Sequence, residues 1–575
     1  MNTASSLLNK YGAVLHINNP FYMHDVDKPI IIDVETDEKD NFVGAAITQD
    51  GIGIWYYTDL ELFKFKLIGD RFIGHNIKGD LKWLINWGVD VSPDHLYYDT
   101  ILASYVHDTT KESHGLKALA KEYLGMEWPT YKEMVHPDAQ HPTKKVTLDR
   151  QSVDRVAAYC GTDCLATYRL WQYFENKALT IQEKRYLQEI ELPTARVLLK
   201  MELMGTAIDI PYLQGLKKEF EEKLKLLVQA VERYWKGEKA LNINSNAQIA
   251  ELLESQGAKL PTTEKGHKKV DKKTLEGLKA LEAVPLLLEY NKYEKLLSTY
   301  VLPLLEKSKD GRIHCSFNQI TKDHKGDSVG ISTSRLSSSS PNLQNIPTRT
   351  EEGKMIRKAF IAGEGKVLID ADFSQIEPRV LAHFSQDPFL LQVFREDRDL
   401  YSELLGPERR DDSKTGWLAV TYGAQAKKLM GIFNKTEADS QAIIDSIYRK
   451  IPGFLAWKIR TLYEARQKGF VETLFKRRII IENLTNANKY ERFRAERLAI
   501  NYIIQGSAAE IMKKGLVRLD QLGLTPNITI HDEFLVEGLD SSTALIKQEL
   551  ENLVQLSVPL KVSIGTGKTW QEAKV

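Results

Sequence analysis

The sequence predicts a multidomain α/β protein, and three observations carry that prediction. Short apolar runs of strand character, "KPIIIDVETD" and "KVLIDADF", lie far apart in the chain and both end in acids. Between them, from about 176 to 310, the pattern is helical and charged. At 575 residues the chain holds about four domains of roughly 150 residues each.

The elements follow in order. "KPIIIDVETD" reads as a strand, and "AAITQDGIGIWYY" as a hairpin turning at Asp50-Gly51. "HGLKALAKEYLG" reads as an amphipathic helix stopped by its glycine. The central region carries the basic run "KGHKKVDKK", Lys265 to Lys273. Val367 to Phe373 reads as a strand, after which Ser374 and Glu377 fit a capping box that opens a helix. "NITIHDEFLVEG" reads as a second hairpin.

Composition excludes several classes. Hydrophobic residues at 42% and charged residues at 27% are ordinary for a soluble globular protein, and the formal net charge is zero. Overall charge therefore names no partner, and nucleic-acid binding would need local clusters of Lys and Arg. Three cysteines are too few for a disulfide framework and favour a reduced, intracellular setting. Cys160 and Cys164 are four apart but lack the further ligands of a zinc site. The N-terminal residues have no signal-peptide pattern, and no apolar run is long enough for a membrane span.

The acids raise the functional question. Asp370 and Asp372 share one strand face, and His531, Asp532 and Glu533 sit inside an otherwise apolar hairpin. Unpaired carboxylates there are costly, and two divalent cations would offset them. Such a pair of ions clamps the entering and leaving oxygens of an in-line phosphoryl transfer. In "RRDDSKTGWLAVTYG", Arg410, Lys414, Leu418 and Tyr422 fall four apart along one slowly drifting helix face. Two cations ahead of an apolar and an aromatic residue suit a triphosphate with its sugar and base.

In this order the segments resemble family A DNA polymerases, the class of bacterial DNA polymerase I and its bacteriophage relatives. "DFSQIEPRVLAHFS" resembles motif A, "RDDSKTGWLAVTYG" motif B and "IHDEFLVE" motif C. "STSRLSSSSPNLQNIPTRTEEGKMIRKAFI" is similar to the primer-strand segment, and "ERLAINYIIQGSAAEIMKKGL" to the helix before motif C. The resemblance implies metal binding by Asp372, Asp532 and the Phe373 carbonyl, with Glu533 in support. It gives Asp370 no metal role. Arg410 and Lys414 match triphosphate-binding cations, Tyr422 a residue at the nascent pair, and Glu377 the acid that disfavours ribonucleotides. His531 would lie by the primer terminus. Arg335, Arg497, Asn501 and Gln505 match primer-template contacts. Leu418 stands where Phe or Tyr is usual and removes aromatic area from the nucleotide contact, which implies altered rate or sugar selectivity. Pro378, Ser334 and Tyr401 also depart from the family pattern. The short stretch between motif A and Arg410 suits the bacteriophage branch, and hence viral DNA replication in a host cytoplasm.

A second set of acids precedes these. Asp33 and Glu35 share a strand face; Asn76 and Asp80, and Tyr159 and Asp163, are pairs four apart expected on helix faces. The D-x-E, N-x3-D, Y-x3-D series resembles the ribonuclease H-like 3′→5′ proofreading exonuclease of the same family. That resemblance makes Asp33, Glu35, Asp80 and Asp163 metal ligands, Tyr159 the residue that positions water, and Asp99 a supporting acid. All these acids being present, a working nuclease is expected, with no 5′-nuclease domain before Asp33.

The expected fold is thus an exonuclease domain (1–175) followed by a right-hand polymerase: thumb (176–310), palm (311–390), fingers (391–500) and palm again (501–575). Expected partners are primer-template DNA, dNTPs and Mg²⁺, two ions per site with Mn²⁺ as a substitute. Replisome proteins such as a helicase-primase or single-stranded DNA-binding protein are further expected partners; a monomer and no membrane are expected. The competing reading is an exonuclease whose C-terminal part binds DNA without synthesis; the paired aspartates, Arg410 and Lys414 argue against it.

Overall fold

The computed structural model describes residues 4–19, 25–67, 69, 71–135, 146–263, 265–322, 328–347, 350–433 and 435–574. The first strands are Val14–Ile17 (β1), Ile30–Thr36 (β2), Phe42–Thr48 (β3), Gly53–Tyr57 (β4), Phe72–Gly74 (β5) and Leu96–Asp99 (β6). They form one sheet in the order β1-β4-β3-β2-β5-β6. β2 is antiparallel to β3 and parallel to β5, so the strand carrying Asp33 and Glu35 lies inside the sheet. Its start, Ile30 to Ile32, is fully buried, as expected for a strand covered on both faces. The expected hairpin forms: Asp50 Oδ1 accepts from the amides of Ile52 and Gly53 at 2.8 and 3.0 Å.

The helix Val153–Tyr173 crosses this sheet, and the two spaced cysteines explain its approach. The Cys160 thiol donates to the Asp33 carbonyl at 3.3 Å, and the Cys164 thiol to the Ile31 carbonyl at 3.5 Å. They are packing residues of the helix face laid on β2. "HGLKALAKEYLG" forms the helix Leu116–Leu124, and Gly125 ends it with φ +64°.

The centre of the chain is helical. The long helices Ile210–Glu232 and Ala283–Leu296 pack together through Phe220 and Tyr293, ring centroids 5.3 Å apart. A small separate core of Val231, Ile249, Leu253, Leu275 and Leu287 closes the far end.

The C-terminal half is built on a second sheet. Val367–Phe373 (β7), Ile528–Ile530 (β8), Glu533–Gly538 (β9) and Val562–Gly567 (β10) pair antiparallel in the order β8-β9-β7-β10. The register sets Asp372 opposite Glu533. The 33-residue helix Lys489–Gln521 packs into the same core, which extends into the helices between 376 and 468.

Buried polar contacts tie the two halves together. Lys78 and Lys82 of the helix Ile77–Asn86 both pair with Glu202, Lys82 at 2.9 Å. Arg477, fully buried, pairs with Glu510 at 2.8 Å and reaches the Tyr105 hydroxyl at 3.3 Å.

Two local expectations fail. The Ser374–Glu377 capping box does not form: Gln375 caps the helix Ile376–Ser385 with φ +54° and no side-chain cap bond. That left-handed turn sends the Ser374 hydroxyl to Ser563 at 3.0 Å and Glu377 to Arg335. Asn76 does not share a helix face with Asp80; it precedes the helix as its cap, with φ +63°.

Candidate active sites

The N-terminal cluster starts from β2. Alternation along the strand puts Asp33 and Glu35 on one face, and ligand atoms of both lie within 4.8 Å of each other and of the Cys160 sulfur. Asp80 arrives from the helix Ile77–Asn86 and is fixed by the Val34 amide, which donates to its Oδ1 at 3.1 Å. Asp163 arrives from Val153–Tyr173, one helical turn after Tyr159. The Trp128 indole N–H donates to Asp163 Oδ1 at 2.5 Å, and the Lys117 ammonium pairs with the same oxygen. Lys117 also lies 4.2 Å from the Tyr159 ring centre and 4.6 Å from that of Trp128.

The electrostatics of this cluster call for cations. Burial and the charge of Asp163 push Asp33 up to about 8, and its Oδ2 is buried without a hydrogen bond. Burial and the neighbouring Asp33 raise Glu35 and Asp80 well above the carboxylate range. Asp163 is also raised by burial, an effect Lys117, Trp128 and Tyr159 reduce. Burial and these acids raise Tyr159 far beyond neutral pH, so its phenol remains an O–H donor. Four carboxyls from three segments, oxygen donors with one orphaned atom, fit hard divalent cations. Asp99 is structural: it accepts from the amides of Asn76 at 2.8 Å, Ile77 at 3.1 Å and Ile101 at 3.0 Å.

The C-terminal site forms where β7 ends against the β8–β9 turn. His531 and Asp532 are the two turn residues, and His531 holds φ +52°. A bulky residue in the left-handed region is uncommon and marks a constrained position. The Phe373 amide donates to the Asp532 carbonyl at 2.9 Å, locking the turn to the strand end beside Asp372. Burial and Asp372 raise Asp532 to about 6, and burial raises Asp372. Carboxyls so disfavoured as anions also fit divalent cations.

Asp532 lines a cavity of about 340 Å³; Asp372 stands behind it, outside the lining. Its walls bring together Arg335, Glu377, Arg410, Lys414, His531 and Asp532. The helix Arg410–Thr421 supplies two cations, as the spacing predicts, and Tyr422 falls just beyond its end. Arg410 forks onto Asp399, with Nε at 3.1 Å from Oδ2 and Nη2 at 3.2 Å from Oδ1. Glu377 is gripped from both sides, by the Arg335 guanidinium and the Tyr422 hydroxyl. Leu418 lies on the same helix; its side chain is outside the described residues.

Arg497, Asn501 and Gln505 do not line the cavity. They step back along one face of the helix that supplies Ala508 and Met512 to its wall. Arg497 packs at Gly423, where an added Cβ would meet its Cγ at 2.7 Å. Asn501 Oδ1 is buried without a hydrogen bond. Glu533 turns away from the cavity and accepts from the Trp570 indole at 3.1 Å.

Sequence reasoning missed Lys117, Trp128, Asp399 and Lys574. Lys117 was legible only as one charge on an amphipathic helix. Nothing local to Asp399 or Lys574 signals the site either one reaches. Asp370 is buried beside Asp372 and Glu533: Lys574 reaches its Oδ2 at 3.4 Å, and burial and Glu533 raise it to about 8.

Comparison with known proteins places these geometries. Residues 28–178 match the 3′–5′ exonuclease family, and residues 210–572 match DNA polymerase family A. The chain is 39% identical over 428 residues to the thermostable DNA polymerase I of Thermus filiformis, covering 70% of this chain and 50% of that protein. It is 33% identical over 530 residues to DNA polymerase I of Pseudomonas aeruginosa, covering 87% of this chain and 56% of that protein. The chain thus spans about half the length of these curated relatives. Among solved structures, the POL domain of Pol1 from M. smegmatis, in complex with DNA primer-template and dNTP, aligns with TM-score 0.78 and 28% identity, covering 95% of this chain and 96% of that one. An exonuclease domain is followed here by a polymerase domain, and the chain belongs to DNA polymerase family A.

Proposed function

We propose that the chain copies a DNA template, adding dNTPs to a primer 3′-hydroxyl, and removes mispaired 3′ ends at its N-terminal site. The observation that carries this is a cavity lined by Asp532, Arg410, Lys414 and Glu377, with the end of the strand that bears Asp372 bonded to the Asp532 carbonyl. Asp372 and Asp532, with the Phe373 carbonyl, are the residues that would hold Mg²⁺ or Mn²⁺. When bound, these ions supply Lewis-acid stabilisation of the transferring phosphoryl group.

The chain's own residues do the remaining work. Arg410 and Lys414 bind the triphosphate, and Arg410 exchanges its fork on Asp399 for phosphate oxygens when it does so. Glu377, held by Arg335 and Tyr422, fills the space beside the sugar 2′ carbon and excludes a hydroxyl there. His531 abuts the primer end. Arg335, Arg497, Asn501 and Gln505 contact the primer-template. At the second site Asp33, Glu35, Asp80 and Asp163 are the residues that would hold the cations, and the Tyr159 O–H would orient the attacking water.

The proposed bodies are an exonuclease over 1–175, a thumb over 176–310, palm over 311–390 and 501–575, and fingers over 391–500. A role in viral DNA replication rests on the short segment between Phe373 and Arg410. No helix among the described residues is long and apolar enough to cross a membrane.

A labelled primer on a template tests the proposal. The expected result is extension with dNTPs and Mg²⁺, weak extension with rNTPs, and 3′→5′ shortening without nucleotides. Absence of both extension and shortening refutes it.

A further inference from the structure

Asp370, Asp372 and Glu533 project from one face of the C-terminal sheet, Asp372 directly opposite Glu533 and Asp370 two residues back. Their side chains are 0%, 33% and 7% exposed. Like charges so arranged repel, and the register leaves them no room to separate. One ammonium answers all three: Lys574 Nζ lies 2.8 Å from Glu533, 3.2 Å from Asp372 and 3.4 Å from Asp370.

That ammonium is delivered by a built support. The short helix Trp570–Ala573 is capped by Thr569, which accepts from the Glu572 amide at 3.2 Å. Trp570 is fully buried edge-on to Phe360, centroids 5.3 Å apart, and donates its indole N–H to Glu533. The Lys574 amide bonds back to the Trp570 carbonyl at 3.1 Å. Gly567 completes the seat, since a Cβ there would meet the Ala573 nitrogen at 2.7 Å. Burial alone would lower the Lys574 ammonium, but Glu533 and Asp370 hold it well above its usual range. Asp532 stands apart: it lines the cavity, whereas Lys574 does not.

We propose that Lys574 is a positioning residue of the polymerase site, its ammonium being the resident countercharge of Asp370 and Glu533. It closes the inner side of the cluster to other cations and fixes Asp372 for joint use with Asp532. The inference rests on the reading in which Asp372 and Asp532 hold the divalent ions. Without Lys574, Asp370 and Glu533 compete with the Asp372–Asp532 pair for those ions, so cations bind more tightly but in the wrong place.

The test uses the full chain and three variants, Lys574→Met, Lys574→Arg and Asp532→Asn. Mn²⁺ binding without DNA is followed by electron paramagnetic resonance, and single-nucleotide incorporation gives kcat and KM. Lys574→Met is expected to bind Mn²⁺ about tenfold more tightly, a conservative figure for losing a unit charge beside a divalent site at an effective dielectric constant of about 20. Its incorporation kcat is expected to fall at least about tenfold with KM for dNTP nearly unchanged, the pattern for lost transition-state alignment. Lys574→Arg should restore both, and shortening of a DNA 3′ end at the Asp33 site reports that each variant is folded. Unchanged Mn²⁺ affinity in Lys574→Met, or an equal defect in Lys574→Arg, overturns the inference. Asp532→Asn separates the two layers: if it weakens Mn²⁺ binding while Lys574→Met has no effect, Lys574 alone is misassigned. If Asp532→Asn also has no effect, the metal reading itself falls.

Discussion

Replacing Lys513 by methionine should destabilise the protein severely, because it strands a buried carboxylate. Glu191 and Lys513 are 0% and 1% exposed, with the ammonium 2.7 and 2.8 Å from the two carboxylate oxygens. Glu191 also accepts from Gln319 at 2.6 Å, Tyr186 at 2.9 Å and Ser334 at 3.2 Å. Burial opposes both charges; on Glu191 the donors outweigh it and hold the carboxyl below its usual range. Lys513 lies below its own range, burial being the larger effect there. The short bidentate geometry and the carboxylate's full set of donors identify an ion pair. Removing one partner of such a pair costs about 3–5 kcal/mol, against a total stability of only about 5–15 kcal/mol. Function should follow, since Lys513 also donates to Ser334 at 2.6 Å and Ser334 precedes Arg335. Urea unfolding and primer extension on the parent, Lys513→Met and Glu191→Gln/Lys513→Met would measure this. The double variant, relieved of the stranded charge, is expected to recover much of the loss. A change under about 1 kcal/mol in Lys513→Met, or a double variant no more stable than the single one, refutes the reasoning.

Other expectations are more local. Cation binding at the N-terminal site should strengthen by about tenfold or more per unit as pH rises towards Asp33's value of about 8, because an incoming ion must displace the protons that burial holds on Asp33, Glu35 and Asp80. The sign for stability is opposite: the folded, cation-free protein holds a proton that the unfolded chain releases near about 4, so this group's contribution falls as pH rises from there to about 8. A flat Mn²⁺ affinity between pH 6 and 8 would contradict this. Glu377→Ala should raise ribonucleotide incorporation by about tenfold or more while freeing Arg335 and Tyr422, and unchanged dNTP-to-rNTP discrimination would remove the role given to Glu377. Leu418→Phe should change the dNTP incorporation rate or sugar selectivity at unaltered thermal stability; identical kinetics for dNTPs and their dideoxy and ribo analogues would discount that position.

Features set by short-range periodicity were readable before any coordinates. Strand alternation put Asp33 with Glu35 and Asp370 with Asp372, and helical spacing put Arg410 with Lys414. The hairpin around His531, Asp532 and Glu533 followed from the apolar runs flanking these three residues, though not which two of them turn. Prediction failed where the backbone left its regular path, as at Gln375 and Asn76, whose left-handed conformations undid a capping box and a shared helix face. It failed again where a distant charge enters the site. Lys117 lies 46 residues from Asp163 and Lys574 202 residues from Asp372, separations across which no periodicity speaks. Alternation linked Asp370 to Asp372, but with Lys574 unseen the charge that faces them both was not legible.

The central claim is that two separate carboxylate clusters run two reactions, synthesis at Asp372–Asp532 and removal at Asp33–Glu35. Crossing single substitutions with both assays on one labelled primer-template tests it most directly. Asp532→Asn should abolish extension while shortening continues, and Asp33→Asn should abolish shortening while extension continues. Extension that persists in Asp532→Asn, or the loss of both reactions in either variant, would contradict the account.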